Sequence, residues 1–367
     1  MSMTSSERQL RQKIGQLFFI GVSGPELDVQ TRELLTDVMP GGICLFARNI
    51  KTASQTRKLL DDIADLLGYR PIFSIDQEGG TVDRLRRIVT PLAAAAEIKT
   101  PEKAAEMAAL VAETIRILGF NMDFAPVVDV VTNERAGRAN GLYTRPFGRN
   151  KEEVVELAGA FLLGLRSHGI AGCLKHFPGL GLASVDSHEE LPTIDIDEEE
   201  FNSVDLYPYR ELLRFKPSSV MIAHASFPGL SLQETDQNGK LLPSSLSYRF
   251  VTELLKTTLG FDGVAVTDDL EMGAIVRNYG IGAACRMALS AGNDMLAICA
   301  DPVRIREGFD AVFDAVEADA ALSANIDRSI ERIEHLKASV AEPVPFDQDR
   351  IGELSLKIAE FNSSLKN

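Results

Sequence analysis

The chain has 367 residues, 45% hydrophobic and 25% charged, with 28 glycines and 16 prolines; this globular composition excludes disorder, collagen and coiled coil as overall descriptions. Its 53 Asp and Glu against 38 Lys and Arg leave a formal charge of −15, so nucleic acid and anionic membrane surfaces are not expected partners. Four scattered cysteines, Cys44, Cys173, Cys285 and Cys299, make no disulfide framework and suit a reducing compartment.

Short β-rich runs alternate with longer amphipathic segments along the chain. In order, the pattern predicts strands at Leu17–Gly21 and Gly42–Phe46, a helix over Thr52–Leu67, a strand at Ile72–Asp76 and a helix over Pro101–Leu118. A strand at Asn121–Ala125, a helix over Lys151–Leu165 and strands at Gly172–His176 and Ser219–His224 follow. The series closes with a helix over Tyr248–Leu259, strands at Gly263–Asp268 and Met295–Cys299, and a helix over Pro302–Val316 that Asp301 is suited to cap. Eight strands separated by helical crossovers predict parallel βα units and, most simply, an α/β fold of the (β/α)8 barrel type; an open doubly wound sheet is the alternative. The barrel is expected over residues 1–340, including a helix to about Ala338. A C-terminal accessory tail over 341–367 would hold the Pro-containing link Glu342–Pro345 and a short amphipathic segment to Phe361. No run approaches the roughly 18 apolar residues of a membrane helix. The stretch Leu17–Val22 lacks the length and cleavage site of a secretory signal, so the cytoplasm is the expected location.

Several predicted strands end in polar groups: Asp76, Lys175 with His176, His224, and Asp268 with Asp269. In a barrel these ends converge on one mouth, where the long segments Val131–Pro146 and Gly179–Asp197 also emerge. A lone strand-end Asp often does no more than cap a helix, whereas this many polar ends point to a site. Asp186-Ser-His188 lies in the second long segment. There the carboxylate can orient an imidazole and raise its basicity, as a His acid/base requires, although the same tripeptide also suits a simple Asx-type turn. His176, His188 and His224 could suggest a metal, but neither His-x-His nor HExxH is present, so no metal is expected. Gly179-Leu-Gly181 echoes a phosphate loop only weakly, since it opens a loop and not a helix. Lys175 alone would suit a Schiff-base aldolase, a reading that leaves Asp186, His188 and Asp268 without a common role. Adjacent strand residues face opposite sides, so Asp268 and Asp269 remain equal candidates at this level.

Taken together, the motifs resemble glycoside hydrolase family 3, and within it the cytoplasmic β-N-acetylglucosaminidases of peptidoglycan recycling. The resemblance spans Gly15–Phe18, Gly41–Phe46 with Arg48-Asn49, Asp76-Gln-Glu-Gly-Gly80, Phe124–Asp129, Arg145-Pro-Phe-Gly148, Lys175-His-Phe-Pro-Gly179 with Asp186-Ser-His188, Met221–His224, and Gly260–Gly263 with Thr267–Leu270. It implies a retaining exo-β-N-acetylglucosaminidase without cofactor, acting on terminal non-reducing sugar of peptidoglycan fragments. Asp268 would be the nucleophile and His188 the acid/base, oriented by Asp186. Asp76, Arg84, Arg145, Lys175 and His176 would bind the sugar, with His224 and Asp129 supporting. A monomer or weak homo-oligomer is expected. Two positions depart from the family pattern: Leu180 stands where a histidine is common, and Thr81 where arginine is common. These departures leave room for a relaxed aglycone preference or a sugar-binding barrel that has lost activity. Within the family the alternatives are a β-glucosidase or broader hexosaminidase, and a phosphorylase, because a neutral His acid/base repels an incoming phosphate less than a carboxylate does.

Overall fold

The computed structural model describes residues 5–136, 142–183 and 191–366. Eight parallel strands form a closed barrel: β1 (Phe18–Gly21), β2 (Gly42–Leu45), β3 (Ile72–Ile75), β4 (Met122–Asp123), β5 (Ala171–Phe177), β6 (Ser219–Ile222), β7 (Val264–Asp269) and β8 (Met295–Ile298). Each strand pairs with its sequence neighbours, and β8 returns to β1 with Phe18 opposite Leu296 and Ile20 opposite Ile298. The eight expected strands are therefore present, and closure excludes the open sheet. β4 is the shortest relative to expectation, because Pro126 has no amide hydrogen to extend the ladder. Pairing resumes at Val127, which bridges to Lys175.

Inside the barrel the strands are almost wholly buried, which is why they read as continuous apolar runs. The Phe19 and Phe124 rings meet at 5.1 Å in a tilted pair. Gly42 is required beside them, since a Cβ there would lie 2.6 Å from the Phe19 ring.

The surrounding helices begin where the side chains can satisfy orphan amides. Thr52 caps Ala53–Leu67 through Gln55 N, Thr100 caps Pro101–Leu118 through Lys103 N, and Asn150 caps Lys151–Ser167 through Glu153 N. Asp301 accepts from Val303 N at 2.8 Å at the start of Pro302–Ala318. The segment expected as an α-helix over Tyr248–Leu259 is instead a π-helix over Arg249–Thr258, closed by Leu259 N donating to Leu254 O. Phe250, Val251, Leu254 and Leu255 are buried in it, and this apolar spacing does not distinguish four-residue from five-residue turns.

Beyond the barrel, helices Ala320–Ser339 and Gln348–Ser364 pack on its outside. The second buries Ile351, Leu354, Ile358 and Phe361 and contacts Pro101–Leu118. It is also tied to the backbone after the β3 loop: Thr90 N donates to Ser355 Oγ at 2.9 Å and Ala93 N to Asn362 Oδ1 at 3.0 Å. No described helix is long and apolar enough to cross a membrane.

Candidate active site

Because all eight strands are parallel, their C-terminal ends share one face, the face on which barrel enzymes assemble their sites. Asp76 follows β3 there and is succeeded by a two-stranded hairpin, Gln77–Gly79 with Val82–Asp83. Gln77 organises this hairpin: its Nε2 donates to Asp83 Oδ1 at 2.9 Å, and its Oε1 accepts from Arg84 N at 3.0 Å and Leu85 N at 3.2 Å. The chain thereby folds Arg84 back until its guanidinium reaches Asp76 Oδ2 at 3.2 Å. Thr81 is exposed at the hairpin turn.

Lys175 on β5 is almost fully buried between two carboxylates, with Nζ 2.9 Å from Asp76 Oδ1 and 2.6 Å from Glu78 Oε1. Glu78 in turn holds Arg145 in a two-pronged pair at 2.8 and 2.9 Å, the geometry that suits guanidinium to carboxylate. Burial by itself would raise the pKa of both acids, but Lys175, with Arg84 beside Asp76 and Arg145 beside Glu78, outweighs it. Asp76 is held well below the usual carboxylate range and Glu78 at about 2. Burial opposes the charge on Lys175, yet Asp76 and Glu78 overcome that and raise its pKa. A lysine kept protonated in this way is the reverse of a Schiff-base nucleophile, which removes the basis of the aldolase alternative.

His176 points one ring nitrogen at the fully buried Asp129, Nδ1 to Oδ2 at 2.8 Å. An imidazole nitrogen facing a carboxylate carries the proton, so Nε2 is turned the other way, 3.4 Å from Arg145 Nη2. Asp129 Oδ1 also accepts from Leu180 N at 2.7 Å. Leu180 itself is buried in the core, so the residue that departs from the family pattern contributes its amide to Asp129 and its side chain to packing. His224 lies deeper: Nε2 donates to the Asp269 carbonyl at 3.1 Å and Nδ1 meets Ser245 Oγ at 2.7 Å. It therefore braces the backbone of β7.

Asp268 and Asp269 close β7 and differ in surroundings. Asp268 Oδ1 accepts from Asp269 N at 2.8 Å. Burial, then the negative charges of Glu271 and Asp268, lift the Asp269 carboxyl to about 7 against the pull of the Glu271 amide. Asp186 and His188 lie outside the described residues. Among the described residues, no group of three or more His, Cys, Asp or Glu could hold a metal ion.

Two buried acids escaped the sequence reading. Glu78 is the hub joining Lys175 to Arg145. Its signal was available, since Asp76 and Glu78 are two residues apart in an extended segment and share a face. Asp123, at the end of β4, is fully buried with Oδ1 accepting from Gln77 N at 2.9 Å and Oδ2 without a partner. Burial, reinforced by Asp76 and Glu78, pushes its carboxyl up to about 8.

The strand-end carboxylates Asp268 and Asp269 and the charged cluster lie on the same face of a closed (β/α)8 barrel, and comparison with known proteins gives the barrel its family. The model of the glycosyl hydrolase family 3 N terminal domain matches residues 9–336. The chain belongs to this family. As a family 3 member it is a glycosidase acting on O-glycosyl bonds. It is 32% identical over 292 residues to a β-hexosaminidase of Thiobacillus denitrificans, covering 77% of this chain and 78% of that one. Among solved structures, it resembles a family 3 β-N-acetylglucosaminidase from Paenibacillus sp. FPU-7, with TM-score 0.84 and 34% identity over 96% of this chain and 68% of the other. A β-N-acetylhexosaminidase from Beutenbergia cavernae matches with TM-score 0.81 and 27% identity, covering 90% of this chain and 98% of its own.

Proposed function

We propose that this family 3 glycosidase is a retaining exo-β-N-acetylglucosaminidase that removes terminal non-reducing β-linked N-acetylglucosamine, with peptidoglycan fragments as its natural substrate class. The observation that carries the reading is the Asp76–Lys175–Glu78–Arg145 cluster at the same barrel mouth as Asp268. A terminal sugar offers several hydroxyls in fixed directions. Charged donors and acceptors held rigidly by one another bind such hydroxyls strongly and discriminate their geometry. Arg84 and the Nε2 side of His176 extend the same set.

In the first step an Asp268 oxygen attacks the anomeric carbon while the glycosidic oxygen leaves with a proton from His188, giving a glycosyl-enzyme. In the second, His188 takes a proton from water, which displaces Asp268 with net retention. The two neighbouring acids differ in fitness for the nucleophile's part. Asp269, lifted to about 7, is partly protonated at neutral pH and its carboxyl is engaged by the Glu271 amide. Asp186 would hold the imidazole of His188 in the required orientation. A cytoplasmic location is supported by four described cysteines that are free and buried, as a reducing compartment permits.

The experiment is release of 4-nitrophenol from its β-N-acetylglucosaminide beside the β-glucoside, in phosphate-free buffer. Fast turnover of the acetamido sugar alone, abolished in Asp268→Ala, is the expected result. His188→Ala should spare substrates with very good leaving groups, which need little protonation. Equal turnover of both sugars would overturn the specificity. Silence that added phosphate relieves would replace hydrolysis with phosphorolysis.

A further inference from the structure

The chain leaves the mouth after β5 through Gly179–Ala183 and returns through residues 191–205, so Asp186 and His188 are carried between two described ends. We propose that Arg135 is a positioning residue for the acid/base step, tying these two ends to each other and to the loop after β4; this rests on the role assigned above to His188.

Arg135 is 4% exposed. Its Nη1 donates to Asp205 Oδ1 at 2.9 Å and Val130 O at 3.1 Å, and its Nη2 to Asp205 Oδ2 at 3.0 Å and Glu200 Oε1 at 2.5 Å. Both carboxylates belong to the returning end, and the planar fork of arginine is the side chain that can engage them together. The departing end lies directly against this pair. A Cβ at Gly181 would sit 2.1 Å from Val130 O and 3.1 Å from Arg135 Nη1. One at Gly179, where φ is +133°, would sit 2.9 Å from Asp205 Cβ. Between these glycines, Leu180 N donates to Asp129, the same carboxylate that orients His176.

The geometry thus links the sugar-facing histidine, the start of the loop, Arg135 and the end of the loop in one continuous set of contacts. The returning end has a second anchor on the loop after β6, where Ile194 N donates to Ser226 O at 2.8 Å and Ser226 N to Pro192 O at 2.9 Å. That anchor fixes the return independently of Arg135. Loss of the guanidinium is therefore expected to disturb where the loop begins relative to where it ends, while the loop stays attached.

The test compares Arg135→Met and Gly181→Ala with the unaltered enzyme on two substrates, 2,4-dinitrophenyl β-N-acetylglucosaminide and N,N′-diacetylchitobiose. Misplacement of the acid should lower kcat/KM for the disaccharide at least about tenfold more than for the dinitrophenyl sugar, because only the former needs a proton on departure. Azide should then accelerate turnover of the dinitrophenyl substrate by attacking the glycosyl-enzyme without general-base help. Gly181→Ala retains every charge, so it carries the test if Arg135→Met does not fold. Equal losses on both substrates with no azide effect, while His188→Ala discriminates between them, would reduce Arg135 to a folding role and overturn the proposal alone. If His188→Ala itself treats the two substrates alike, the acid/base assignment falls and this proposal falls with it.

Discussion

Replacing Lys175 with Met removes the single cation that Asp76 Oδ1 and Glu78 Oε1 share at the barrel mouth. The methionine fills most of the volume, so the effect is electrostatic, and two nearly buried carboxylates are left facing each other. Breaking a buried ion pair from one side costs about 3–5 kcal/mol. The Glu78 carboxyl bounds this from another side: Lys175 and Arg145 together hold it at about 2 against an ordinary 4.5, about 3 kcal/mol at about 1.4 kcal/mol per pH unit, of which removing Lys175 forfeits only a part. Because that pKa is depressed on folding, its contribution in the parent enzyme is present above about pH 4.5 and is lost as pH falls toward 2. In Lys175→Met each carboxylate keeps one arginine, Arg84 on Asp76 and Arg145 on Glu78, but loses the shared cation and becomes easier to protonate, so the deficit should be largest near pH 7 and shrink toward pH 5. Urea unfolding midpoints at pH 5, 6 and 7 for both proteins measure this directly. A deficit below about 1 kcal/mol that does not change with pH would refute the reasoning, since it would mean that solvent already screens the cluster.

Asp123→Asn should act in the opposite sense. Its carboxyl is lifted to about 8 by burial and by Asp76 and Glu78, so in the parent enzyme its stabilising share is full below about pH 4 and is lost as pH rises toward 8. The amide removes that slope, and the variant's advantage should grow with pH, on the order of 4 kcal/mol between pH 5 and 8, as read from urea midpoints at those two values. A gap that stays constant would count against a neutral Asp123. Ending the chain at Val340 exposes the surface that Ile351, Leu354, Ile358 and Phe361 cover. At about 1.5–3 kcal/mol for each side chain the loss rivals the whole stability of a domain, so the shortened chain should be recovered aggregated or unfolded by circular dichroism; a Tm within a few degrees of the parent would make the tail dispensable. All four cysteines are buried, and burial raises each thiol. The native enzyme should therefore take up less than about one equivalent of dithionitrobenzoate until it is unfolded.

Local physics made much of the fold legible in the chain. Strands buried on both faces have to be apolar throughout, so Ile72–Ile75 or Val264–Thr267 stand out from their surroundings without any knowledge of their partners. Helix starts announce themselves in the same way, because Thr52, Thr100 and Asp301 satisfy amides only two or three residues away. Strand-end residues Asp76, Lys175, His176 and Asp268 were visible as polar groups terminating those runs.

Partnership was decided by closure of the barrel. Lys175 meets Asp76 across 99 residues, Arg145 meets Glu78 across 67, and Arg135 meets Asp205 across 70. No periodicity or capping rule acts over such separations. Glu78 therefore acquires its role only when the mouth of the barrel brings Lys175 and Arg145 to it. Asp123 lies inside the predicted strand Asn121–Ala125, where nothing local marks it, and only closure buries it beside two other carboxylates. Charges acquire their pKa values and their roles from neighbours and from the exclusion of water, and both are properties of the packed barrel, set only when distant strands come together.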